Sequence, residues 1–301
     1  MMDIDYKLLR ALNIVMQKQS FERAADKLHI SQSAVSQRIK LLEEFVGHPV
    51  MIRGKPITLT PTGQQLLYHF KQVELLERDL LPKIIAEAPE QPIKLSLSVN
   101  ADSLSIWFIE ALTPLLKSHP IELDIMVSDE TRTTDKLKSG EAFGALSTLA
   151  HPLPGYKTDY VGDLKYLLVA SREFQKRYFA NGVNKQSLKK APGVAFDQQD
   201  NSHLKFIEEQ FDLPSDNYPC HTVRSSEAFV DLVKHGVAYA LIPELQIKQD
   251  VESGMLINLL PERKLVTKLY WHSWVLGKGV FKQASELIIN YARNYLPSGI
   301  S

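Results

Sequence analysis

The apolar residues Leu8, Leu9, Leu12, Val15 and Met16 recur at helical spacing and predict a first amphipathic helix from Tyr6 to Met16. Ser20 reads as the N-cap of a second helix, Phe21 to Leu28, whose Ala24, Ala25 and Leu28 share a face where small alanines let another helix approach. After a break at His29-Ile30, Ser31 caps a third helix in which Val35, Ile39, Leu42 and Val46 step by four, three and four until Gly47 ends it. Three helices with a tight turn between the last two predict a helix-turn-helix. From Gly47 to Gly63 the pattern becomes Pro49, Val50, Ile52, Ile57 and Leu59 among Pro and Gly, which suits a short two-stranded wing. Thr60-Pro61 opens another helix, because proline at a first helical position loses only a donor that has no helical acceptor. Its stripe of Leu66, Phe70, Val73, Leu76, Leu80 and Ile84 is too long and apolar to stay single, and predicts a dimerisation helix over 61–88. Ala86 to Pro92, with two prolines and two acids, reads as a linker.

Beyond the linker the texture alternates. Leu95, Leu97 and Val99 read as a strand, Leu104 to Lys117 as a helix, Ile121 to Val127 as a strand, Thr134 to Lys138 as a short helix and Ala142 to Ser147 as a strand. After Gly162 the alternation repeats, with strands at Tyr166 to Ala170, Val194 to Phe196, His221 to Arg224 and Tyr239 to Ile242. The intervening helices are Arg172 to Tyr178, Ser202 to Phe211 and Ser226 to His235. This predicts parallel α/β layers in two similar lobes, with a cleft between them beyond the strand C-termini.

A chain of 301 residues with 44% hydrophobic and 23% charged positions is an ordinary globular composition with room for more than one domain. Lys plus Arg equals Asp plus Glu at 35, but the balance is uneven: residues 1–60 carry nine basic against six acidic side chains, the remainder 26 against 29. A polyanion site therefore belongs at the N-terminal end. The lone Cys220 excludes an intrachain disulfide and a thiolate zinc cluster, and points to a reducing compartment. No signal-like start and no long unbroken apolar run occurs, so the expectation is a cytoplasmic protein.

The run from Ser20 through Phe21-Glu22-Arg23-Ala24-Ala25-Asp26-Lys27-Leu28-His29-Ile30-Ser31-Gln32-Ser33-Ala34-Val35-Ser36-Gln37-Arg38-Ile39-Lys40-Leu41-Leu42 to Glu43 resembles the LysR-type transcriptional regulators. Val99-Asn100-Ala101-Asp102-Ser103-Leu104, Asp129-Glu130-Thr131-Arg132-Thr133, Ser225-Ser226-Glu227-Ala228-Phe229 and Tyr270-Trp271-His272 are similar to its branch that senses arginine and lysine and controls amino-acid exporters. The resemblance spans essentially the whole chain. It implies a winged helix-turn-helix over 1–60, a linker and dimerisation helix over 61–90, and a two-lobed α/β, periplasmic-binding-protein-like effector domain over 91–301. Lobe one would take 91–162 and 267–301, lobe two 163–266. It further implies a promoter operator in double-stranded DNA, a basic amino acid as effector, self-association to a dimer or tetramer, and RNA polymerase as a candidate partner.

A recognition helix presents short polar side chains to base edges and cations to phosphates. Gln32, Ser33, Ser36 and Gln37 lie on exposed turns opposite Val35 and Ile39; Gln pairs bidentately with adenine, and the Ala34 methyl meets a thymine methyl. Arg38 and Lys40 suit phosphates, and the resemblance adds Arg53 in the wing. Taken singly, each of these also fits a solvated helix face. The common family wing has a second Arg three residues after the first; here that position is Pro56, beside Lys55.

For the effector, Asn100, Asp102 and Ser103 stand where the first strand of the α/β region meets its helix, where backbone N–H groups receive an α-carboxylate and Asp102 answers an α-ammonium. The distal cation of lysine or arginine calls for acids, and Asp129, Glu130, Asp197 and Asp200 fall in loops after strands. Ser147 and the Ser225-Ser226 pair are placed to face the same cleft. Capping is an equal reading for Asp102 and Ser226, and Arg132 fits either a carboxylate clamp or an internal pair with Glu130.

The nine histidines show no HxxxH spacing, and no GxGxxG, GxxxxGK[ST] or GxSxG occurs, so no cofactor and no enzyme is expected. The alternatives are a regulator with a different small-molecule effector, an amino-acid enzyme with a fused DNA-binding head, and a low-specificity architectural DNA protein. The balanced net charge opposes the last.

Overall fold

The computed structural model describes residues 3–84, 92–129, 132–196 and 201–299. The chain divides into two compact units, Met1–Gln91 with Asp135–Glu141, and Pro92–Thr134 with Ala142–Ser301.

In the first unit, helices α1 (Tyr6–Lys18), α2 (Phe21–Leu28) and α3 (Gln32–Val46) precede strands β1 (Met51–Ile52) and β2 (Thr58–Leu59) and helix α4 (Pro61–Ile84). The caps are local chemistry. Ser20 accepts from the Arg23 amide, Ser31 from the Ala34 amide, and Gly47 ends α3 at φ +74°. Leu9, Leu12, Val15, Ala24, Val35, Ile39 and Leu42 form the dry centre, joined by Leu67 and Phe70 of α4. Gln19 fixes the wing to this core: its side chain accepts from the Ile57 amide at 2.8 Å and donates to the Ile57 carbonyl at 3.1 Å. Gly63 lies so close beneath the wing that an added Cβ would stand 1.8 Å from the Val50 carbonyl oxygen. The far half of α4 keeps its apolar stripe uncovered, with Leu76 40%, Leu80 52% and Ile84 64% exposed. The predicted linker residues 86–91 lie outside the described residues.

The second unit contains β3 (Ile93–Val99), then α5 (Ala101–Ser103), a π-helical turn at Leu104–Phe108 and α6 (Ile109–Ser118), then β4 (Ile121–Val127). Helix α7 (Asp135–Lys138), grouped with the first unit, precedes β5 (Gly144–Ser147). There follow β6 (Tyr156–Ser171), α8 (Arg172–Tyr178), α9 (Lys185–Leu188), β7 (Gly193–Ala195), α10 (Asn201–Phe211) and β8 (Cys220–Thr222). The chain ends with α11 (Ser226–Lys234), β9 (Ala240–Pro243), α12 (Glu244–Glu252), β10 (Leu256–Asn258), β11 (Leu265–Trp274) and α13 (Gly279–Tyr295).

The two-lobed α/β architecture is as expected, but the sheet is mixed rather than parallel. β3 pairs in parallel with β4 and β5, whereas β11 is antiparallel to both β5 and β6, and β9 and β10 are antiparallel to β6. The reason is length: β6 and β11 run through both lobes as crossing strands, so they belong to neither repeating βα unit. Their register shifts between Leu269 and Tyr270, opposite Gly162 and Tyr160, a bulge that bends the pair locally. Gly162 has φ +143°, and a Cβ there would come 2.6 Å from Leu296, so glycine is required twice over.

Candidate functional site

On the N-terminal unit, Gln32, Ser33, Ser36, Gln37 and Lys40 of α3 and Arg53 of the wing line one concave face. α3 presents the first five because Val35, Ile39 and Leu42 face the core. Arg53 stands over the Phe21 ring at 5.5 Å, a cation–π contact worth about 0.5–1 kcal/mol at an exposed site, which orders it before any partner arrives. Lys40 has an exposed i,i+4 partner in Glu44 at 3.6 Å, a weak surface pair that leaves its charge available for exchange. Ala34 and Arg38 do not line this concavity; both are half-buried, Ala34 with its amide engaged by Ser31.

In the second unit the helix that follows β3 opens on a cleft. An inner pocket is lined by Asn100, Asp102, Ser128, Asp129, Tyr166 and Ser226 among others. Asp102 is its organising group. One carboxylate oxygen accepts from Ser226 Oγ at 2.6 Å and the other from Tyr166 Oη at 2.8 Å. These are short charge-assisted bonds, and they join the first turn of the lobe-one helix to α11 and β6 across the cleft. Position in that first turn also sets the carboxylate in the favourable field of the helix N-terminus.

Asn100 is 2% exposed, and neither its amide nitrogen nor its amide oxygen has a hydrogen-bond partner among the described residues. It is the N-cap residue but makes no capping bond. A buried, unmatched polar group costs about 1–3 kcal/mol, and this donor–acceptor pair borders the pocket, where a bound molecule would offset that cost. Ser128 Oγ, which borders the same space, is also buried without a partner among the described residues.

The sequence-predicted effector residues therefore divide. Asn100, Asp102, Asp129 and Ser226 come together in the inner pocket; Ser225 lines the outer cleft, where its Oγ caps α11 through the Ala228 amide and donates to Glu227. The capping reading fits Ser225, and Ser226, one position on, turns its hydroxyl to Asp102. Ser147 stands apart from them: it is buried with its Oγ on His272 Nε2 at 2.9 Å and on the Leu149 amide at 3.0 Å, and it lines neither pocket. Ser103 is fully buried and lines neither pocket, because the helix turns it inward while Asp102 faces the cleft. Glu130, Asp197 and Asp200 lie outside the described residues.

Sequence reasoning missed Tyr166, His203, Phe196 and Arg224. Tyr166 sits in a strand pattern and buried His203 is one of nine scattered histidines, yet both line the inner pocket. Nothing local in either segment distinguishes a cleft residue from a core residue. Arg224, beside the Ser225-Ser226 pair, was the one legible from its neighbours.

Residues 6–64 match the bacterial regulatory helix-turn-helix proteins of the lysR family, and residues 88–274 match the LysR substrate binding domain. The HTH-type transcriptional regulator ArgP of Aeromonas salmonicida is 51% identical over 98% of this chain and 99% of its own, and that of Photobacterium profundum 49% identical over 99% and 100%. ArgP from Mycobacterium tuberculosis superposes with a TM-score of 0.85 at 30% identity, covering 99% of this chain and 100% of its own. The full-length LysG of Corynebacterium glutamicum with bound effector Arg gives a TM-score of 0.79 at 27% identity over 98% and 100%. Such relatives are regulators and not enzymes, and among the described residues no helix is long and apolar enough to cross a membrane. With a helix-turn-helix head, a two-lobed effector domain and these relatives over nearly its full length, the chain belongs to the LysR family as a transcriptional regulator of the ArgP type.

Proposed function

We propose that this regulator responds to arginine or lysine and controls the promoter of an amino-acid exporter gene in the cytoplasm. The observation that carries the effector reading is the buried, unmatched Asn100 amide beside the Asp102 and Asp129 carboxylates. An amide that offers both a donor and an acceptor, next to two anions in a half-enclosed cleft, suits a primary ammonium or guanidinium and disfavours an acidic effector. The arginine bound to the LysG relative supports the same class of ligand.

DNA binding is assigned to 1–60 through Gln32, Ser33, Ser36, Gln37, Lys40 and Arg53, with Ala34 and Arg38 flanking. Residues 61–90 are assigned to dimerisation, because Leu76, Leu80 and Ile84 leave an apolar stripe that a second copy of α4 would cover. The effector domain spans 91–301, its association makes a tetramer, and RNA polymerase is the partner at the promoter. In the mechanism, Asp102 bridges the lobes through Ser226 and Tyr166; a basic amino acid that takes up this carboxylate changes the relative free energy of lobe arrangements, and α4 passes the change to the DNA-binding heads. The effector switches nothing unless it binds one arrangement more tightly than the other.

Calorimetric titration of the purified protein with arginine, lysine and glutamate tests this. Saturable binding of a basic amino acid without turnover, and none of glutamate, is the expected result. Failure of both basic amino acids to bind would overturn the effector assignment.

A further inference from the structure

The cleft continues outward from the inner pocket into a second space of about 530 Å³, the two sharing Ala101, Ser128, Phe196 and Ser226. That is within the ~300–1,000 Å³ range of small-molecule sites. Among the described residues the charges reverse along it: the inner end holds Asp102 and Asp129, while the outer end holds Arg132 and Arg224 with Glu227, whose carboxylate accepts from Ser225 Oγ at 2.8 Å. Arg132 follows β4 in lobe one, and Arg224 precedes α11 in lobe two, so the two arginines line one space from opposite sides.

We propose that Arg132 and Arg224 form a carboxylate clamp that spans the lobes, holding the effector's carboxylate while its cationic groups lie toward Asp102 and Asp129. This deepens the reading above and rests on it. The sequence offered the backbone N–H groups at Asn100–Ser103 as a rival carboxylate site, but Asp102 already occupies that helix N-terminus, and a second carboxylate there would face it across the same turn. Guanidinium groups offer a fork that a carboxylate meets bidentately. A clamp made from both lobes also gives the ligand a reason to prefer the closed arrangement: only there do both arginines reach one carboxylate. Arginine and lysine would then be distinguished from diamines and amino-acid amides by Arg224, and from acidic amino acids by Asp102 and Asp129.

The experiment compares L-arginine with L-argininamide, in which a neutral amide replaces the carboxylate, by calorimetry at a pH where both α-amines are protonated, on full-length wild-type protein and on the Arg224→Gln and Arg224→Lys variants. Arg224 is exposed, so the substitutions leave the fold intact, and thermal unfolding checks this. Wild type should bind arginine about 10- to 100-fold more tightly than argininamide. R224Q should lose most of that preference by weakening arginine alone, and R224K should fall between. A preference unchanged in R224Q, or equal binding of both ligands by wild type, would overturn the clamp while leaving the basic-amino-acid reading in place. Binding of neither ligand by wild type would remove both.

Discussion

Replacing Asp102 by Asn tests the organisation of the cleft most directly. The substitution keeps the shape of the side chain and removes its charge, so it retains packing in the first helical turn while weakening the bonds from Ser226 at 2.6 Å and Tyr166 at 2.8 Å. A hydrogen bond to a charged group contributes about 1.5–3 kcal/mol, and an effector ammonium that lost this carboxylate as partner would forfeit a similar amount. Arginine affinity should therefore fall about 10- to 150-fold. Operator affinity without effector should stay within about twofold, because the side chains proposed to read bases belong to the other unit. Calorimetry gives the first quantity and fluorescence anisotropy on operator DNA the second. Arginine binding by D102N within about threefold of wild type would refute the assignment of Asp102 to the effector, whatever happened to stability.

Further expectations concern the remaining elements. Gln32→Ala and Ser36→Ala should each lower operator affinity by about 1–3 kcal/mol per lost base contact while leaving random-sequence DNA almost unaffected; unchanged discrimination would remove α3 as the reading helix. Gly63→Ala places a methyl group where the Val50 carbonyl oxygen would be only 1.8 Å away, so it should destabilise the N-terminal unit by about 1–3 kcal/mol and be seen as an earlier urea transition. Leu80→Asp puts a charge in the exposed stripe of α4 and should lower the mass measured by light scattering at micromolar concentration; an unchanged mass would exclude this stripe as the dimer contact. His272 is fully buried, and burial holds its pKa below the usual histidine value of 6.5, opposed by its bond to the Leu149 carbonyl. The unfolded chain then takes up a proton near that value before the folded chain does, so this contribution is present above 6.5 and is lost as pH falls below it. Melting temperatures measured from pH 8 downward should decline less steeply below about 6.5 in His272→Gln than in wild type; parallel profiles would show that another group sets the acid limb.

The histidine illustrates where reading along the chain stops. Ser147 stands at the end of a strand, a position from which side chains commonly enter a cleft, yet its hydroxyl is bound to His272, 125 residues away. Asp102 and Ser226 were each legible as polar residues at a helix start, but their bond closes a separation of 124 residues. Arg224 and Arg132 come to one space only because β8 and β4 end on facing lobes. The mixed sheet has the same origin, since a strand long enough to cross both lobes gives no local sign of its pairing direction.

The sequence by itself determined the head and its helices. Ser20, Ser31, Gly47 and Pro61 act within one turn of their own positions, and the spacing of Val35, Ile39 and Leu42 decides which face of α3 is buried and therefore which polar residues remain on its outer face. Helix signals are complete within a few residues because the backbone bonds they terminate run only four residues along the chain. The tertiary structure alone decided which polar groups share the cleft, which serine is structural, and where the charge along the cleft reverses. Those outcomes depend on the closure of long chain segments, and no local free energy reports a partner more than a hundred residues distant.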